Sequence, residues 1–311
     1  MRLDVKDRLR TLRQKLGANT APTEITQRDF EDGPEHLHRL AHVQPEEQPD
    51  GRDLCEYMLD LKYTDIQTTL LVYLIPFCLE YWHRILCSDN LEFPVDYPGF
   101  VDDFYPVLVN REVFERHLTA AQGEAVLDFM RDSILEEIDA QEGLSHKGYW
   151  VRPRRWIGAL TTYGVVGTDI EQLWTTWWAV DTTGRAVATV QYISCLMYPK
   201  DRNPIFAPYT REKGGGPPCL WSFDGFLNDN FWRQANVDFL HGLLSAPGVV
   251  NDVLARATDR LIGHQEHEIA SRVLADLPSC AAMLSDRCSI LPLLLATPES
   301  DMQAKWWEWP E

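Results

Sequence analysis

The 311-residue sequence is short of positive charge. Lysine and arginine number 29 against 47 aspartates and glutamates, and the formal net charge is −18. A field of that sign repels nucleic acid and anionic membrane and attracts basic ligands, so the expected partner is a basic protein, with no nucleic acid and no membrane. Long apolar runs are missing too. The longest, LLVYLIPFCL at 70–79, carries Pro76 inside it and is too short to cross a bilayer. The opening stretch MRLDVKDRLRTLRQKL has no apolar centre, which argues against a secretory signal. No CxxC pair occurs among Cys55, Cys78, Cys87, Cys195, Cys219, Cys280 and Cys288. An odd set of widely spaced cysteines, with Cys78 in the apolar string LIPFCLEYW, points to reduced buried thiols in a cytoplasmic protein.

Catalytic and metal signatures are also scarce. The triple glycine at 214–216 follows Lys213 and precedes Pro217 and Pro218. A phosphate loop needs backbone N–H donors opening a helix, and prolines remove two of them. No GxSxG elbow is present. His36, His38 and His42 include an i, i+4 pair, and His264 with His267 form HxxH, but neither group has a nearby cysteine or an HExxH arrangement. These histidines read as surface or cap residues, and no metal or cofactor is expected. Ser194–Cys195 would need a base such as His241 to act as a nucleophile, and the apolar run around Cys195 favours packing instead. Asp224 and Asp229, among Trp221, Phe223, Phe226, Phe231 and Trp232, would suit carbohydrate hydrolysis. In a chain this acidic the coincidence carries little weight. A hydrolase with its site in 195–241 stays open as an alternative, as does a structural, self-associating protein.

What is present is helical pattern and tryptophan. Apolar residues make up 45 % and charged residues 24 %, ordinary for a folded chain, and there are 11 tryptophans. Val5, Leu9, Leu12 and Leu16 space a basic amphipathic helix over 2–16. Residues 20–53 read as an extended connector. A helical stretch from about Asp53 to Asp89 follows, divided or bent by Pro76. Residues 90–110 read as a packed loop with at most a short helix. Residues 145–167, broken by Pro153, Gly158, Gly164 and Gly167, suggest a border near 147, giving packed helical halves 1–147 and 148–311. Thr168 and Glu171 form a capping box for a helix over 169–179. The stretch 174–194 suits two helices, with a short β-hairpin as the alternative. After a long loop at 199–218, helices are expected near 226–245, 248–262, 265–276 and 280–296. The fold class is mainly α.

The clearest helix follows Thr119, which forms a capping box with Gln122 and should open a helix over 120–140. Glu124, Asp128, Asp132 and Glu136 recur every fourth residue and form one carboxylate ridge, relieved in part by Arg131, with Leu127, Met130, Ile134 and Ile138 opposite. That ridge is a candidate docking face for a basic partner. The 199–218 loop, with Pro204, Phe206, Pro208 and Tyr209, and the terminal Trp306, Trp307 and Trp309 are candidate contact elements.

The runs YLIPFCLEYW at 73–82 and HLTAAQGEAVLDFM at 117–130 resemble a pattern in uncharacterised bacterial helical proteins, where an aromatic–Leu–Pro helix precedes an LTxxQxxAVxxF helix. Tyr73, Pro76, Leu118, Thr119, Gln122, Ala125, Val126 and Phe129 carry the resemblance, over about a fifth of the chain. It implies a helical protein without assigned activity, and some such proteins resemble immunity partners of bacterial toxins. The functional expectation is a non-catalytic acidic binding protein that neutralises a basic toxin.

Overall fold

A computed structural model describes residues 4–30, 33–87, 100–144, 151–168, 170–198, 202–205, 232–246 and 248–295, with the side chains of 151–155 and 290–295 excepted. Among the described residues the chain forms thirteen helices and no strand. No described helix is long and apolar enough to cross a membrane. The chain divides into two compact units, Met1–Ser133 and Ile134–Glu311. The sequence suggests a border near residue 147; the boundary between the units falls earlier, inside a helix.

The first unit is built from α1 (Val5–Leu16), α2 (Glu35–His42), α3 (Gly51–Tyr63), α4 (Thr68–Leu86), α5 (Phe100–Asn110), the single turn α6 (Val113–Arg116) and the start of α7 (Ala120–Asp139). Leu9, Leu12 and Leu16 are buried, and α1 packs on α4. Gly17 ends α1 at φ 70°, and the Ala18 amide turns back to the Arg13 carbonyl at 3.0 Å. Two basic side chains of α1 turn inward, while Lys6, Arg10 and Lys15 stay exposed. The Arg13 guanidinium lies 4.2 Å from the Phe77 ring centre, and Arg8 lies 5.4 Å from that of Phe129.

Three expectations change here. The connector 20–53 contains α2, an eight-residue helix that packs on α3 and α4. The helical stretch of 53–89 breaks at 64–67, while Pro76 sits buried inside a continuous α4. Burial of the α4 face outweighs the one backbone bond that a proline removes. The break is held by side chains: Gln67 Oε1 accepts from the amides of Thr26 and Gln27 at 2.7 and 2.9 Å, and Gln27 Oε1 accepts from the Gln67 amide at 2.8 Å. The 100–110 part of the expected loop is α5, with Phe100 and Phe104 fully buried and stacked.

The second unit holds the rest of α7, then α8 (Val151–Val166), α9 (Glu171–Trp178), α10 (Thr183–Met197), α11 (Gln234–Ser245), α12 (Val249–Arg260) and α13 (His267–Leu295). The hairpin alternative over 174–194 is replaced by α9 and α10. Thr182 Oγ1 caps α10 by accepting from the Arg185 amide at 3.2 Å, and every residue from Gly184 to Met197 is buried. Burial on all sides explains the absence of a polar face in that run. It packs against α12, α13 and α9. α9 begins at Glu171, with Ile170 at the cap position, so the Thr168–Glu171 box does not form. The two C-terminal helices expected at 265–276 and 280–296 are one helix, continuous through Pro278. Arg287, fully buried, donates to the carbonyls of Cys195 at 2.9 Å and Tyr198 at 2.6 Å, satisfying the end of α10.

Tryptophan fills this core. Trp156, Trp174 and Trp177 are fully buried, with ring centres 5.2 Å (Trp156–Trp177) and 5.4 Å (Trp174–Trp177) apart, and Tyr192 meets Trp177 edge-on at 5.4 Å. Edge-to-face pairs such as Trp156–Trp177 and Trp177–Tyr192 add stability beyond area burial, about 0.5–1.5 kcal/mol each.

Candidate binding recess between α2 and α3

Three carboxylates of α3, on Asp53, Glu56 and Asp60, recur at helical steps and face α2. α2 answers with the buried His36 and the exposed Arg39. Arg39 grips Asp53 with both arms, Nε to Oδ2 at 2.9 Å and Nη2 to Oδ1 at 2.6 Å. Such a two-point contact fixes direction as well as charge. Arg52 donates to Glu56 at 2.7 Å, one turn along α3. Asp50 caps α3 by accepting from the Arg52 amide at 2.9 Å. Gly33, at φ 85°, turns the chain into α2 and sets Glu35 at its first position. Together Gly33, Glu35, His36, Arg39, Asp50, Arg52, Asp53 and Glu56 line a recess of about 360 Å³.

At its floor, His36 Nε2 lies 2.6 Å from Asp60 Oδ2, and Nδ1 lies 3.0 Å from the Gly33 carbonyl. Asp60 Oδ1 accepts from the Phe30 amide at 2.7 Å. Burial disfavours a charged imidazole, yet the bond to Asp60, its charge and that of Glu56 outweigh burial, and the His36 pKa is raised. Both ring nitrogens face acceptors, which suits the doubly protonated ring. In this arrangement both nitrogens are engaged.

Arg39 and Arg52 offset Asp53 and Glu56. Glu35 and Asp50 form no ion pair among the described residues, though Asp50 lies within the field of Arg39. The recess therefore holds surplus negative charge at its rim.

The α7 ridge is a mixed surface. Glu124 is exposed, while Asp128, Asp132 and Glu136 are half-buried. Arg131 bridges Asp128 at 2.9 Å and Asp132 at 3.2 Å, and Lys15 approaches Asp128 at 3.8 Å. The Thr119–Gln122 box forms as the spacing predicts, with the Thr119 amide donating to Gln122 Oε1 at 2.9 Å and the Gln122 amide to Thr119 Oγ1 at 3.4 Å. Met130, Ile134 and Ile138 are buried.

Trp306, Trp307, Trp309, Asp224 and Asp229 lie outside the described residues, as does the 199–218 loop apart from 202–205. Cys195 is buried on α10 and His241 is exposed on α11, and no hydrogen bond joins them. His42 Nδ1 lies 2.6 Å from the His38 carbonyl, a backbone contact within the i, i+4 pair. Among the described residues no group of three His, Cys, Asp or Glu side chains could hold a metal ion. A second cluster joins His83 Nδ1 to Ser133 Oγ at 3.1 Å and to Cys87 Sγ at 3.7 Å, with Cys87 at the C-terminal end of α4, where a helix disfavours negative charge.

The spacing of Asp53, Glu56 and Asp60 was visible in the sequence. Their pairing with His36 and Arg39 depends on α2, which has no strong start signal. No family model, curated protein or solved structure matches the chain.

Proposed function

We propose that the protein is a non-catalytic acidic binding protein whose partner is a basic protein. Its most concrete form is an immunity-type inhibitor that neutralises a basic toxin in the cytoplasm. One observation carries the reading: the recess between α2 and α3 is ringed by four carboxylates, two of them outside any ion pair among the described residues, around an imidazole already committed to Asp60 and Gly33. Such a site can receive positive charge. The net charge of −18 supports the same reading, because an acidic field speeds encounter with a cationic surface. The exposed Glu124 on α7 adds to that field.

The test is calorimetric titration of the full chain with a small basic nuclease and with a neutral protein of similar size, at rising salt. The reading predicts binding to the basic protein alone, weakening steadily with salt. Absence of salt-sensitive binding to the basic probe would remove the proposal.

A further inference from the structure

Phe30 and Tyr63 are large apolar side chains left 42 % and 53 % exposed, and they stack on each other with ring centres 4.3 Å apart. An exposed stacked pair has given up only part of its hydration, and the ring faces and edges that remain are open to contact. The pair does not stand alone. The Phe30 amide donates to Asp60, whose other oxygen meets His36, and His36 lines the recess. One buried carboxylate therefore ties the Phe30 backbone to the floor of the acidic hollow. Lys62 Nζ, bonded to Asp103 at 2.7 Å, also sits 5.5 Å from the Tyr63 ring centre, a cation–aromatic contact within the chain.

We propose that the Phe30–Tyr63 pair and the adjoining recess form one docking surface for an arginine-bearing segment of a basic protein. This deepens the functional reading above and rests on it. Charge complementarity selects the occupant. Glu35 forms no ion pair among the described residues, and Asp50, held only by the Arg52 amide and the longer-range field of Arg39, leaves part of its charge to a partner. A guanidinium can bond carboxylates through its edge and stack on an aromatic face, whereas an ammonium lacks the plane. Arginine is therefore preferred over lysine at equal charge.

The experiment uses the full chain and two peptides of equal length and charge, one alternating Arg and Gly, the other Lys and Gly. Titration should show the arginine peptide bound roughly two- to fivefold more tightly, the worth of an exposed stacking contact. Phe30→Ala and Tyr63→Ala should each erase that preference and leave the salt dependence intact. The double variant Glu35→Gln/Asp50→Asn should weaken both peptides and flatten their salt dependence. Circular dichroism of each variant confirms the fold, and Tyr63→Phe keeps the ring as a control that should behave as the parent. Salt-dependent binding that ignores all four positions would overturn this surface and leave the general reading standing. No binding of either peptide would overturn both. Self-association of the chain alone, abolished by Phe30→Ala, would assign the pair to a second copy and also end the proposal.

Discussion

His36 on α2 and Asp60 on α3 are joined by a 2.6 Å contact in which both groups are almost fully buried. This pair ties the connector region to the helical body, so its protonation is coupled to stability. The His36 pKa is raised in the folded chain, burial opposing and Asp60 prevailing. Its stabilising contribution is full below the unfolded value of about 6.5 and disappears as pH rises through the higher folded value. Urea midpoints measured from pH 5 to 9 should fall across that interval in the parent chain. His36→Gln should lower the acid-side midpoint and remove this part of the slope. His117, whose pKa is lowered by burial and by Arg111 and Arg116, acts with the opposite sign, so the difference between parent and variant isolates His36. An unchanged slope in the variant would mean that the pair is not charged as described.

Gly184 and Gly242 make opposite predictions for one substitution. A Cβ on Gly184 would stand 1.9 Å from the Asp139 carbonyl oxygen, a backbone atom that cannot step aside. The same end of α10 is fastened to Asp139 by Thr182 at 2.7 Å and Arg185 at 2.8 Å. Gly184→Ala should cost about 1–3 kcal/mol or more through overpacking. A Cβ on Gly242, within α11, meets nothing within 4 Å. Gly242→Ala should stabilise by about 0.5–1 kcal/mol by restraining the unfolded chain. Thermal melts of the two variants should move in opposite directions.

Mainly helical architecture was legible because the apolar spacing of α1, α4 and α7 is strong and the Thr119 box announces its helix. The α10 segment was harder to read. Its Thr and Val content suits a strand, and only burial on every side, supplied by α9, α12 and α13, decides for a helix. Proline does not mark the helix ends here. Pro76 and Pro278 lie inside continuous helices, since packing along the flanks compensates one missing bond, while the true break at 64–67 is held by the Gln67 side chain accepting from the amides of Thr26 and Gln27 and by the Gln27 side chain accepting from the Gln67 amide. The recess was hidden for a related reason. Short α2 has no side-chain cap at Pro34, so Glu35, His36 and Arg39 looked like part of a loop, and their partners on α3 could not be assigned.

Burial separates the thiols. Cys55 is pushed up to about 12 by burial, with the nearby charges of Asp103, Glu56 and Asp50 adding to it. Cys288 is likewise raised to about 12 by burial, and Cys78 is raised further by the same cause. At pH 8 the reactive thiolate fraction of such groups is on the order of a thousandfold smaller than that of a free cysteine. Brief iodoacetamide treatment of the native chain should leave Cys55, Cys78 and Cys288 unmodified in peptide mass spectra, and the same treatment in urea should label them. Rapid native labelling of Cys55 would show that α3 is less closely packed than described.

Asn236 is the polar hub of the second unit. Its Nδ2 donates to the carbonyls of Gly164 at 2.8 Å and Gly167 at 3.0 Å, and its Oδ1 accepts from the Ile170 amide at 3.4 Å, all away from water. Asn236 thereby joins the start of α11 to the end of α8 and the lead into α9. Alanine would strand those groups, at about 1–3 kcal/mol. Aspartate keeps the shape but turns a carboxylate toward two carbonyl oxygens, so at neutral pH Asn236→Asp should destabilise more than Asn236→Ala. That order should reverse on acidification, because a protonated aspartate regains an O–H donor, while burial and the facing carbonyls raise its pKa in the folded variant. The aspartate variant should therefore gain stability relative to the alanine variant as pH falls from 7 toward 5. Parallel urea titrations of the two variants read this directly, and a constant gap between them would show that Asn236 does not donate to Gly164 and Gly167.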